Sequence, residues 1–293
     1  MNGPQAALLA DGRRLHLQHG PIDLVIDADG DADEVRLAYE QATGRFASIL
    51  EELVEVLPVL RRPVAPGGGA PVGSVACRMA QAARLFLPAF VTPMAAVAGA
   101  VAEEILAALT TGRTLRRGYV NNGGDIALHL TALAEFDVGI VARPDRPEMV
   151  ATLKVGAADT IRGIATSGRH GRSLSLGIAD SVTVLADRAA VADVAATLIA
   201  NAVDLPNSPA VRRRPARELD PDSDLGDRLV VIEVDLLSTR DVELAASAGF
   251  ALARQFHDAG LIRAAAICLG DTVHILDNRP AAAVEQSAAV LAG

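Results

Sequence analysis

Apolar and polar positions change period several times along the chain, and each change predicts an element. Residues 14–19 and 23–28 alternate with period two around Gly20-Pro21, as a hairpin does. From 31 to 60 the apolar positions recur at helical spacing, through Val35, Leu37 and Ala38 and then Phe46, Ile49, Leu50, Leu53 and Val54. Gly44 is the expected break. A Pro/Gly segment over 63–71 reads as a connector or a lid, and 74–87 as a second helix. Thr92-Pro93 opens a third, over 94–109. Its first two turns are almost all Ala and Gly, so another backbone or a ligand must approach closely, and its N-terminus is a ready anion site. Residues 118–130 read as strand, turn, strand; 138–142 and 149–155 continue the β pattern. A Gly/Ser-rich loop from Gly163 leads to a β-branched strand at 181–185, and Asp187 caps a helix over 188–203. Residues 203–227 look irregular. A buried strand at 229–234, a helix at 241–259 and a hairpin at 265–276 close the pattern. Strands and helices alternate without a steady βαβ rhythm. The expectation is an α+β chain with mixed or antiparallel sheets packed on helices. Its organisation would be a loose tail over 1–12 and a single large domain over 13–290, with a linker at 204–227.

Composition narrows the classes. Half the residues are hydrophobic (51%) but only 3% are aromatic, so Ala and Val must fill the core. A net charge of −9 argues against a general nucleic-acid binder. The basic run Arg212-Arg-Arg-Pro-Ala-Arg217 is followed at once by an acidic one and reads as a solvated, self-compensating linker. Two distant cysteines, Cys77 and Cys268, indicate reduced core residues and a cytoplasmic setting. The uncharged stretch 85–102 is interrupted by Pro88 and Pro93, which suits a core helix better than a membrane span. His16 and His19 form an HxxH pair, but on a strand they point to opposite faces, so a structural role is expected.

Three clusters can carry chemistry. Asn121, Asn122 and Asp125 surround Gly123-Gly124, where the backbone can take positive φ and approach a ligand; an ordinary tight turn has the same composition. Thr166, Ser167, Gly168, Arg169, His170, Gly171, Arg172 and Ser173 offer hydroxyl, N–H and guanidinium donors to phosphate. On the helix over 188–203, Asp193, Thr197 and Asn201 stand at i, i+4 and i+8, a polar stripe among apolar neighbours. Asp193 and Thr197 can share a hard cation that bridges to a pyrophosphate. His170 and Asp180 are the candidate acid/base groups. Neither GxGxxG nor GxxxxGK[ST] occurs, so the pocket is neither a Rossmann site nor a P-loop.

At these residues the chain resembles the ApbE-like superfamily, whose founding members are Mg-dependent FAD:protein FMN transferases once assigned to thiamine biosynthesis. Val120-Asn-Asn-Gly-Gly-Asp-Ile126 is similar to the family's Val-Asn-x-Gly-Gly-Asp-Ile block. Ile164-Ala-Thr-Ser-Gly168 is similar to its Ala-Thr-Ser-Gly block. Ser181-Val-Thr-Val184 with Ala192-Asp-Val-Ala-Ala-Thr197 resembles its Val-Thr-Val…Ala-Asp-Ala-x-x-Thr block. The resemblance implies an ApbE-like fold, magnesium on Asp193 and Thr197, and FAD or FMN as ligand. The residues read above as candidate contacts to such a nucleotide are Asn121, Asn122, Gly123, Gly124, Asp125, Thr166, Ser167, Gly168, Arg169 and Ser173. The chain looks most like a shorter branch with a Pro-Met-Ala-Ala-Val-Ala-Gly-Ala block, as at Pro93 to Ala100. It departs from the transferases twice. Ser173 to Asp180 replaces their His-x-x-Asp-Pro-x-Thr-Gly segment, and Ala98-Gly-Ala-Val-Ala-Glu103 lacks their lysine. Both departures argue against FMN transfer to a protein threonine. Two expectations stay open: a Mg-dependent transferase or hydrolase acting on a small-molecule nucleotide, and a non-catalytic accessory or scaffold protein of sulfur or cofactor metabolism. The small-residue helix is compatible with a homodimer; no nucleic-acid or membrane partner is expected.

Overall fold

A computed structural model of the chain describes residues 3–141, 149–277 and 284–286; the expected strand end at Ala142 lies outside them. Contacts divide the chain into two compact units. The first comprises Met1–Phe136, Gly156–Ala165 and Ala186–Val194. The second comprises Asp137–Val155, Thr166–Leu185 and Ala195–Gly293.

The chain begins with strands β1 (Gln5–Leu8), β2 (Leu15–His19) and β3 (Ile22–Gly30), then helices α1 (Ala32–Phe46), α2 (Ile49–Leu60) and α3 (Ser74–Arg84). A 3-10 turn, Pro93–Ala96, runs into α4 (Val97–Thr110), followed by β4 (Leu115–Asn122), β5 (Asp125–Leu130), β6 (Glu135–Val141) and β7 (Met149–Gly156). Next come β8 (Gly163–Ser167), β9 (Ser181–Ala186), α5 (Ala189–Ala202), β10 (Val211–Pro215) and the short α6 (Ala216–Leu219). Strand β11 (Leu229–Val234), α7 (Thr239–Asp258), β12 (Ala264–Leu269), β13 (Thr272–Asp277) and β14 (Val284–Gln286) complete the order. Helices with antiparallel sheets make this an α+β chain, as expected.

In the first unit β1 to β5 follow one another in an antiparallel sheet, and β8 pairs with β5 through Ile126↔Ile164 and Ala127↔Gly163. Along β3 the inward residues Ile22, Leu24, Ile26 and Ala28 are buried and those between them are not, the period of a half-buried strand. Helix α1 starts where Asp31 accepts the Asp33 N–H at 2.9 Å. It does not break at Gly44. Burial of Ala38, Ala42 and Phe46 carries it on through Gly44 to Phe46, and the interruption falls at Ala47-Ser48. The apolar helix α4 buries Ala100, Val101, Ala102, Ile105 and Leu109 against α1, α3, β4 and β5. The Gly-rich loop before α3 is tied down: the Arg84 guanidinium donates to the Gly68 and Gly69 carbonyls at 2.7 and 2.5 Å, and the Cys77 thiol to the Pro71 carbonyl at 3.0 Å. Gln5–Leu8, in the stretch read as a tail, pairs antiparallel with β2.

In the second unit β12 lies between β9 and β13, all antiparallel. Strand β7 pairs with β14, and β6 flanks it. Ile140, Ala266 and Cys268 pack together, and burial pushes the Cys268 thiol up, as suits an inert core residue. Two expectations change here. The basic run read as linker contains β10, paired antiparallel with β11, with Arg212 on Glu233 and Arg213 on Asp204. Strand β11 was expected to be buried, but only Val230 is; Leu229 and Ile232 are exposed.

Candidate functional site

The first unit centres on the crossing of α4 and α5. Close approach at the small residues of α4 is met by backbone: a β-carbon on Gly99 would fall 2.4 Å from the Ala189 carbonyl oxygen. Gly163 on β8 meets the same turn from another side, where a β-carbon would come within 2.1 Å of the Ala189 nitrogen. Only glycine fits at either place. At this distance Asp193 of α5 reaches the first turn of α4, and its Oδ2 accepts the Gly99 N–H at 3.0 Å. The Ala98 N–H also bonds to it. The anion expected at this helix N-terminus is therefore a side chain of the chain itself.

Asp193 is densely surrounded by protein, yet solvent still reaches it. Burial, and then the negative charge of Asp125, push its carboxyl well above the usual carboxylate range, against the opposing pull of the Gly99 and Ala98 N–H groups. No ion pair to Asp193 is found among the described residues, and there no three His, Cys, Asp or Glu side chains converge. Asp125 begins β5 and is 9% exposed. It follows a tight turn in which Gly123 and Gly124 both have positive φ, 66° and 111°, the pattern of a two-residue hairpin. Asn121 Oδ1 accepts the Gly124 N–H at 2.8 Å, so that donor is already used. The buried Asn122 donates through Nδ2 to the Ala98 carbonyl at 3.2 Å, fastening the turn to α4.

The second unit holds the loop after β8. Its first residues are strand rather than loop: Gly163–Ser167 is β8, and the Thr166 and Thr183 hydroxyls bond at 2.9 Å. Gly168, at φ 153°, lies against the backbone of Asp180, whose carbonyl oxygen would be 2.4 Å from a β-carbon. The Asp180 carboxylate is buried and saturated with donors. Its Oδ1 accepts from Arg169 Nε at 2.9 Å and Nη2 at 2.7 Å, and meets His170 Nε2 at 2.9 Å; its Oδ2 accepts the Gly270 N–H at 2.7 Å. The two residues expected to do acid/base work are thus hydrogen-bonded to each other. Ser167 is half-buried, while Arg172 and Ser173 are exposed.

Asn122 and Asp193 meet around the N-terminus of α4, where the charge of Asp125 acts on Asp193, while Gly168, Arg169 and His170 gather around Asp180 in the second unit. Thr197 lies one turn beyond Asp193 on α5 and belongs to the second unit. Both it and Asn201 are half-buried on a helix otherwise mostly buried, as the polar stripe implies, and Asn201 Oδ1 accepts the Leu176 N–H at 3.0 Å. Sequence reasoning did not single out Glu103. It stands four residues after Gly99 on the same helix face, and that spacing was the available signal.

A UPF0280 protein of Methanopyrus kandleri is 40% identical over 179 residues, covering 60% of this chain and 68% of that protein. A UPF0280 protein of Archaeoglobus fulgidus is 37% identical over 131 residues, 45% of this chain and 51% of that protein. The matched part of the chain thus spans about two thirds of the first relative and half of the second. Among solved structures, the apo form of Pseudomonas stutzeri flavinyl transferase ApbE is 13% identical, with TM-score 0.42 and 93% of each chain covered. The flavin transferase ApbE from Vibrio cholerae is 13% identical with TM-score 0.39, covering 93% of this chain and 97% of that one. Similarity at that level carries no argument about function. The family model described as AbpE bacteria matches residues 6–275, nearly the full described length, and the chain belongs to that family.

Proposed function

We propose that this chain binds a pyrophosphate-containing nucleotide through Mg²⁺ held by Asp193 and Asp125, and that the nucleotide is a flavin. Support comes first from the state of Asp193, a carboxylate crowded by protein and by a second carboxylate, with no cationic side chain paired to it among the described residues. A hard cation relieves that repulsion, and Mg²⁺ is characteristically held by one or two carboxylates, with water and phosphate oxygens filling the other positions. The donors present therefore fit. When bound, the ion neutralises pyrophosphate charge and acts as a Lewis acid at phosphorus. Asn122 holds the Asp125 turn against α4, and the Gly99 and Ala98 N–H groups fix the Asp193 carboxylate. Thr197 is a further hydroxyl along α5 and is not needed for this assignment. The choice of a flavin rests on the three sequence blocks shared with the ApbE-like proteins. Transfer of FMN to a protein threonine is outside the proposal, because Ser173 to Asp180 has neither the His nor the Asp-Pro of the transferase segment.

In the second unit the proposed general acid/base is His170. Asp180, which already accepts from Arg169 and Gly270, serves to orient it. With Nε2–H donated to Asp180, the basic nitrogen is Nδ1.

A second reading has its own observation. Asp193 already caps two N–H groups of α4, which is a sufficient structural role for a protein that keeps the fold without the chemistry. Equilibrium dialysis with Mg²⁺ separates the two. Asp193→Asn keeps an oxygen acceptor for Gly99; it is expected to fold normally and to lose the bound ion. Equal Mg²⁺ uptake by wild type and Asp193→Asn would leave the structural cap as the better reading.

A further inference from the structure

We propose that Glu103 is a positioning residue for the cation site, fixing the first turn of α5 and with it the place where Asp193 presents its carboxylate. This rests on the cation reading above. Glu103 Oε1 accepts the Ala190 N–H at 2.9 Å, three residues before Asp193. Asp193 in turn accepts the Gly99 N–H, four residues before Glu103. Each helix therefore caps the other's N-terminus with a carboxylate from about one turn further along. The contacts of Gly99 and Gly163 with Ala189 leave no slack in the crossing.

The two halves of this exchange differ in charge. Glu103 Oε2 is met by Arg188 at 2.9 Å and by Arg78 at 3.4 Å, so this half is neutralised by the chain. Among the described residues the Asp193 half has only backbone N–H groups on it, and it feels the negative charge of Asp125. Glu103 is thus the anchored half, and Asp193 is the half that accepts a cation. Mg²⁺ tolerates little departure from octahedral geometry, so a two-carboxylate site depends on how firmly its ligands are held. Glu103 touches neither the ion nor the nucleotide in this scheme and acts through the backbone of α5.

The test is calorimetric titration with Mg²⁺ alone on wild type, Glu103→Ala, Glu103→Asp and Glu103→Gln, each checked for a cooperative thermal transition. Glu103→Ala is expected to weaken Mg²⁺ affinity about tenfold or more, as loss of an orienting group does. Glu103→Asp keeps the charge but withdraws it from Ala190, and is expected to weaken binding too, which covers the case where the alanine variant does not fold. Glu103→Gln still offers an oxygen to the Ala190 N–H and is expected to restore most of the affinity. A purely structural residue would shift the thermal midpoint without this split between variants. Wild-type affinity retained in both Glu103→Ala and Glu103→Asp overturns the inference alone. Absence of Mg²⁺ binding in wild type overturns the cation reading and the inference with it.

Discussion

A carboxylate at the scale of one residue is defined by what shares its oxygens. Asp180 has Arg169, His170 and Gly270 around it and is a hub that fastens a loop. Asp193 has two backbone N–H groups and a like charge, which is an incomplete environment for an anion. Sequence position marked both as interesting but could not separate these roles, because the donor that completes Asp180 comes from Gly270 and the repulsion on Asp193 comes from Asp125, both far away along the chain. Tyr39 gives a simpler titration. Its hydroxyl donates to the Arg13 carbonyl at 2.9 Å, and burial, then the charge of Asp27, pushes its pKa up to about 12. Between the ordinary phenol value near ~10 and that higher value the folded chain holds a proton the unfolded chain has released. The contribution is fully present below the lower value and is lost as pH rises through the window. Ultraviolet titration of the two tyrosines is expected to show a step near 12 that disappears in Tyr39→Phe. A high step that survives in Tyr39→Phe would assign it to Tyr119 instead.

Elements were legible where their signals are local. The hairpins β2–β3, β4–β5 and β12–β13 and the succession of β9 and α5 follow from turn residues and apolar period, whereas Thr92-Pro93 opens a 3-10 turn and α4 itself starts only at Val97. Elements held by distant partners were not. Gly163 looks like loop because it lacks a side chain, yet the reason is its contact with Ala189; β10 looks like linker because its arginines find Asp204 and Glu233 only in the fold. Gly44 shows burial overriding propensity: α1 continues through it because Phe46 must reach the core. Its β-carbon position is open and its φ is not positive. Gly44→Ala is accordingly expected to stabilise the protein by about 0.5–1 kcal/mol. Gly99→Ala forces a methyl into the Ala189 carbonyl and is expected to destabilise by about 1–3 kcal/mol or more. Urea unfolding of the two variants measures both; a neutral Gly99→Ala would mean the helices can separate without cost.

Across the whole molecule, three scattered sequence blocks implied one nucleotide site, and the fold sorts them by unit. The Asn121 to Asp125 turn and Asp193 fall in the first unit, the Thr166 to Ser173 loop and Thr197 in the second. Family membership is shown by the match over residues 6–275, whereas the proposed cation rests on the surroundings of Asp193 and the proposed flavin on the three shared sequence blocks. The most direct measurement is calorimetric titration of the full chain with FAD, with and without Mg²⁺, on wild type and Asp193→Ala. Binding that requires Mg²⁺ and is lost in a folded Asp193→Ala is the expected result. No FAD binding by well-folded wild type in either condition would contradict the flavin reading. If Asp193→Ala then lost only about 1–3 kcal/mol of stability, the residue would be a helix cap and no more.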